Sequence, residues 1–164
     1  MRKVVRYGVF ETNSSSMHTV TVHGKRNINK NYNPDGVIKT HLDEYGWSGY
    51  PCDDFNSKLE YALLMVLHTE YPDFEYYDED FVIDQDILEE CEGYKLLLNT
   101  INEHGKCEKI IIKKNNSYYP YGYIDHQSCE NYDSLQDFLN DWNVDAERFL
   151  FDDGVTVWID NDNH

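Results

Sequence analysis

The stretch FETNSSSMH, Phe10 to His18, gathers a carboxylate, an amide, four hydroxyls and an imidazole between two apolar runs. Those groups support three chemistries. Ser14, Ser15 or Ser16 could attack as a nucleophile with His18 or His23 as base. Thr12, Asn13, Ser14 and Ser15, helped by Arg6, could cradle an anion, because hydroxyls and backbone N–H groups in a turn hold phosphate or carboxylate. Or the Ser and Asn side chains could simply bond their own backbone in a connecting turn. No GxSxG elbow marks one serine as special. A turn is therefore expected, and no catalytic residue is assigned.

A second set lies in PDFEYYDEDFVIDQDILEECE, residues 72–92. Carboxylates recur every few residues there, interleaved with aromatic rings. Such a row can stand where a basic groove expects phosphates, since duplex DNA presents a dense, regular line of negative charge. The rings would add anchor area of the kind that dominates interfaces. The partner-facing residues expected on this reading are Asp73, Glu75, Tyr76, Tyr77, Asp78, Glu79, Asp80, Asp84, Asp86, Glu89 and Glu90. Asp152, Asp153 and Asp160 form a possible second patch. Asp78, Asp80, Asp84 and Asp86 also offer oxygen ligands for calcium, without the glycine of an EF-hand loop.

Two HxxC pairs, His104/Cys107 and His126/Cys129, flank residues 108–124. Were those residues a hairpin, its outer ends would meet, and two nitrogens and two sulfurs could hold one tetrahedral zinc ion. The competing reading makes the cysteines small core residues, and no cofactor or metal is expected. Tyr118, Tyr119, Tyr121 and Tyr123 crowd one segment beside Lys113 and Lys114. Such a face can stack single-stranded bases, or its rings can be half-buried with their hydroxyls in water.

Charge discriminates among these. The net charge is −17 over 164 residues, and it is unevenly laid out. Residues 1–41 carry seven basic and two acidic side chains, whereas residues 42–92 carry sixteen acidic and one basic. Residues 93–124 turn basic again, and residues 125–164 hold eleven acids against one arginine. This balance opposes direct nucleic-acid binding and favours a basic partner. The aromatic content of 15% argues against disorder. No apolar run is long enough to span a membrane, and the opening MRKVVRYGVF lacks the apolar core of a secretion signal. The four cysteines are widely spaced, as expected for reduced thiols in a cytoplasmic protein.

The elements that must position these groups read as follows. Residues 2–10 and 17–23 have strand character, and 24–36 form a polar loop closed by Pro-Asp-Gly. A short strand is expected over 37–41 and irregular chain over 42–54. Residues 55–69 read as a helix, with Leu59, Ala62, Leu63, Val66 and Leu67 on one stripe. Residues 84–104 read as a second helix. A hairpin over 108–124 turns at Asn115-Asn116, and a short helix covers 134–142 behind an Asp133 or Ser134 cap. RFLFD-DG-VTVWID reads as a closing hairpin with Asp153-Gly154 in a type I′ turn. The fold class is α+β: a mainly antiparallel sheet of six to seven strands in hairpins, two longer helices and one short helix. A single domain over 1–164 is expected, with the acidic helical segment 42–105 as an insertion within it.

GVFETNSSSMHTVTV resembles the opening of a set of uncharacterised phage and bacterial proteins that begin with a strand and an ETNSSS-x-H segment. The resemblance covers about the first 20 residues. It implies a small phage or mobile-element protein acting inside a bacterial cell, and it carries no chemistry. By size and acidity the chain also resembles DNA mimics and anti-CRISPR inhibitors. That resemblance implies an inhibitor that blocks a basic nucleic-acid-binding host protein, most concretely an RNA-guided nuclease, with no direct nucleic-acid or membrane contact. The alternative is an enzyme or binding protein for a nucleotide or phosphorylated small molecule, using the ETNSSSMH loop.

Overall fold

The computed structural model describes residues 16–30, 34–45, 51–124, 129 and 131–161. The strand expected over 2–10, and most of the ETNSSS turn, lie outside the described residues. The fold is α+β, with seven strands and five helices among the described residues. β1 (Ser16–Val22), β7 (Val155–Asn161) and β4 (Pro51–Cys52) form an antiparallel sheet in the order β1-β7-β4. β2 (Asp35–Thr40) pairs in parallel with β5 (Lys106–Ile112), and β3 (Glu44–Tyr45) in parallel with β6 (Tyr123–Ile124).

The helix α1 (Phe55–Thr69) is the centre of the molecule. Asp54 caps it, its carboxylate accepting from the N–H groups of Asn56 and Ser57 at 2.8 and 3.2 Å. Its buried residues include Lys58, Leu59 and every position from Tyr61 to Leu67, so the helix is enclosed on more than the predicted stripe. The Lys58 ammonium donates to the carbonyls of Asp152 and Val155 at 3.0 and 3.3 Å, which satisfies a charge that burial alone would strand.

The second predicted helix is two: α2 (Gln85–Glu90) and α3 (Glu92–Asn102), broken at Cys91, whose backbone is extended (φ −63°, ψ 131°). Across the break, the Glu70 carboxylate accepts from the N–H of Gly93 at 2.7 Å and from the N–H of Leu135 at 3.0 Å. One side chain thus caps the first turns of α3 and of α4 (Leu135–Asp141). In α4, Ser134 is the cap, accepting from Asp137 N–H at 3.1 Å.

Two expected hairpins are absent. Residues 108–124 do not form a hairpin: β5 pairs with β2, and β6 pairs with β3 in a separate sheet. Asn115 instead organises a loop, accepting from Ser117 N–H and donating to the Leu42 carbonyl at 2.9 and 3.2 Å. The segment AERFLF is a helix, α5 (Ala146–Phe151), capped by Asp145, which accepts from Arg148 N–H at 2.8 Å. Phe149, Leu150 and Phe151 are all buried. A half-buried strand cannot turn three successive side chains to one face, whereas a short helix against α1 can enclose them. Gly154 has no positive φ, so a type I′ turn is excluded there.

Candidate acidic and tyrosine-rich interface

After α1 the chain runs from Tyr71 to Asp84 without regular structure. Aromatic rings hold it down. His68, at the end of α1, lies 5.2 Å from Phe74 and 5.3 Å from Tyr76 between ring centroids. Phe81 meets Tyr71, Phe74 and Tyr121 edge-on at 6.0, 5.6 and 6.0 Å. The hydroxyls of Tyr71 and Tyr121 accept from the N–H groups of Asp84 and Ile83 at 2.8 and 3.4 Å. Asp78 closes the tip, its side chain accepting from Asp80 N–H at 2.8 Å. Lys114 donates to the carbonyl of Glu79.

The same rings join two segments that lie far apart in the sequence. Tyr76 approaches Tyr123 and Tyr119 at 5.2 and 6.2 Å. Tyr77 lies 5.4 Å from Tyr119 and 6.1 Å from Tyr118, and Tyr119 stacks on Tyr123 at 4.7 Å. β6 fixes this second segment against β3. Gly122 (φ +75°) makes the approach possible, because a Cβ there would stand 2.7 Å from the Asp43 carbonyl. Burial and a hydrogen bond to Tyr77 push the Tyr76 phenol up to about 12. The phenol of Tyr119 is raised by burial and a hydrogen bond to Tyr77, with Tyr118 and Glu44 adding smaller effects. Tyr121 and Tyr123 are buried, so they are structural. Tyr118 is 70% exposed and Tyr77 51%.

Of the predicted partner-facing residues, Asp73, Glu75, Asp78, Glu79, Asp80, Asp84, Asp86 and Glu90 are exposed. Glu89 is half-buried and paired with Lys109 at 2.7 Å, a contact that lowers its carboxyl below the usual range. Asp84 caps α2 through Asp86 N–H at 2.9 Å. Tyr76 belongs to the inner ring cluster, while Tyr77 reaches the surface. What sequence reasoning missed is that the acidic segment and the 118–119 tyrosines share one surface. Their separate aromatic richness was the available signal, but not their contact.

The other candidates are placed differently. Arg6, Thr12, Asn13, Ser14 and Ser15 lie outside the described residues. Ser16 and His18 fall on β1. The His18 Nδ1 is 2.8 Å from the hydroxyl of Tyr61, which is fully buried. Beyond it, Tyr45 and Thr40 donate to the Glu60 carboxylate at 3.2 and 3.1 Å. Burial pushes the Cys52 thiol up to about 12 and raises the Glu60 carboxyl. Cys52 therefore stays a protonated thiol at neutral pH, a poor nucleophile.

Of the zinc set, His126 lies outside the described residues. His104 stacks on Phe151 at 3.9 Å and shares a 3.0 Å hydrogen bond with Glu147. Cys107 and Cys129 are buried. The hairpin that would have gathered these four residues does not form. Among the described residues no group of three or more His, Cys, Asp or Glu could hold a metal ion. Of the calcium set, Asp78 and Asp84 spend a carboxylate oxygen on backbone N–H groups. In the second acidic patch, Asp152 is 0% exposed and so is not a surface residue. It accepts from Arg148, Gly154 N–H and Asn27 N–H at 2.9, 2.8 and 3.2 Å. Asp153 is exposed, and the Asp160 side chain lies outside the described residues.

Among the described residues no helix is long and apolar enough to cross a membrane. No protein-family model matches the chain, and no curated protein or solved structure matches it.

Proposed function

We propose that this protein is a binding protein rather than an enzyme. It presents the 73–90 surface to a basic, nucleic-acid-binding protein inside a bacterial cell and occupies the groove that protein uses for DNA or RNA. An RNA-guided nuclease of a CRISPR system is the most concrete member of that class, and a phage or mobile element is the source that fits such a role.

One observation carries the reading. Eight carboxylates from Asp73 to Glu90 are exposed on a segment anchored from beneath by aromatic rings. The anchoring matters because a mimic of phosphates gains from charges held in place before binding. Charged surfaces of this kind steer encounter and lose strength as salt rises.

The test compares wild type with Asp78→Lys/Glu79→Lys/Asp80→Lys for displacement of nucleic acid from a captured basic partner. Displacement by wild type and not by the variant supports the reading. Equal displacement by both removes it.

A further inference from the structure

Tyr77, Tyr118 and Tyr119 form an open corner at the surface. Tyr118 stands edge-on to Tyr119 at 4.9 Å and 85°, and Tyr77 meets Tyr118 at 6.1 Å and 71°. Rings set at steep angles present both a face and an edge to whatever enters between them. Both Tyr77 and Tyr118 are more than half exposed, with Val82 beside the same acidic segment at 68%. Exposed Glu75, Asp78, Glu79 and Asp80 come from the segment that carries Tyr77, and exposed Glu44 pairs with Tyr123, the ring on which Tyr119 stacks.

Three occupants compete for such a corner. Single-stranded bases stack on tyrosines, but their phosphates would face these carboxylates, and Lys114 is already turned to the Glu79 carbonyl. A second copy of the chain would bring its own charge of −17. A cation suits both features, because aromatic faces attract positive charge and carboxylates strengthen the attraction. Among protein cations, arginine fits best. Its planar guanidinium stacks on rings, is weakly hydrated and pairs with carboxylates in a fork.

We infer that the Tyr77–Tyr118–Tyr119 corner is a docking point for an arginine side chain of the basic partner. This rests on the binding reading above and gives it a specificity: arginine is preferred over lysine. The carboxylates supply charge attraction to either cation, and the rings supply the discrimination.

The experiment titrates the protein with oligo-arginine and oligo-lysine peptides of equal length by calorimetry, while NMR follows the ring protons of Tyr118. Oligo-arginine is expected to bind about fivefold more tightly, with the Tyr118 ring shifted. Tyr118→Leu, at a position exposed enough to spare the fold, should erase that preference and leave oligo-lysine binding unchanged. Tyr118→Phe should retain it. Glu79→Gln/Asp80→Asn should weaken both peptides alike. Equal affinity for the two peptides, unchanged in Tyr118→Leu, overturns the arginine site while the acidic-surface reading stands. Binding of neither peptide overturns both. Tighter binding of a single-stranded oligonucleotide, or a dimer dissolved by Tyr118→Leu, also overturns the arginine site.

Discussion

Tyr77 and Tyr118, far apart in the chain, meet at 6.1 Å between ring centroids, and both face solvent. Their contact merges the acidic segment after α1 with the tyrosine-rich loop before β6. Negative charge and exposed tyrosine rings thereby occupy one face, and tyrosine is among the residues enriched at the energetic centres of protein interfaces.

Charge reversal of Asp78, Glu79 and Asp80 is expected to weaken partner binding by tenfold or more and to flatten its salt dependence. All three are exposed, and of their side chains Asp78 accepts from Asp80 N–H, while Glu79 meets Lys114 through its backbone carbonyl, which the substitution keeps. Far-UV circular dichroism should be unchanged, so loss of binding with loss of the spectrum would not count as support.

Asp152 is expected to be a pH-dependent keystone. Burial works against its charge, and hydrogen bonds from Gly154 N–H, Arg148 and Asn27 N–H outweigh that, holding the carboxyl below its usual range. A carboxyl lowered on folding contributes stability above its unfolded value, about pH 4, and loses it as pH falls through the folded value. Asp152→Ala should cost about 3 kcal/mol at neutral pH, since it strands Arg148 and two N–H groups. In urea titrations the gap from wild type should narrow in acid. A gap that persists at the lowest pH tested would contradict this role.

Glu70 links three helices. Glu70→Ala should lose about 2 kcal/mol by uncapping both Gly93 and Leu135 N–H groups, with Glu70→Gln recovering part of the loss. Gly93→Ala should also destabilise, because its Cβ would stand 2.5 Å from Glu70 Oε1 and 2.6 Å from Val66 Cγ2. Thermal melts of the three variants decide the matter, and a wild-type melting temperature for Glu70→Ala would refute the shared cap.

Ser15→Ala/His18→Asn distinguishes a binding protein from an enzyme that uses the ETNSSSMH loop. The His18–Tyr61 hydrogen bond belongs to the interior, so stability should drop by about 1 kcal/mol. Partner capture below the melting temperature should be retained. Loss of the biological effect with capture intact would favour the enzyme.

Local signals were legible and distant pairings were not. The stripe Leu59, Ala62, Leu63, Val66 and Leu67 announces α1, because helical spacing acts within a few residues, though not the burial of the helix beyond that stripe. At the break at Cys91 the first turn of α3 is capped by Glu70, a partner 23 residues away that spacing does not reveal. FLF before Asp-Asp-Gly has strand composition. It is a helix whose first turn Asp145 caps, and its three side chains are buried, Phe151 against Phe55 of α1 and Phe149 against Phe138 of α4. The acidic block was visible as charge, but its union with Tyr118 depends on ring contacts between segments that spacing cannot reveal. Asp152 read as a surface acid: Arg148 and Gly154 lie within four residues of it, but its burial and its bond to the distant Asn27 amide are not visible in spacing.

The most direct measurement captures a nucleic-acid-binding partner from bacterial lysate on wild type and on the Asp78→Lys/Glu79→Lys/Asp80→Lys variant, at low and high salt. The purified partner is then offered labelled nucleic acid. The expected result is capture by wild type at low salt only, no capture by the variant, and stoichiometric release of nucleic acid from the partner. Capture that ignores both salt and charge reversal, or a partner that keeps its nucleic acid when saturated, would contradict the acidic face as the working surface.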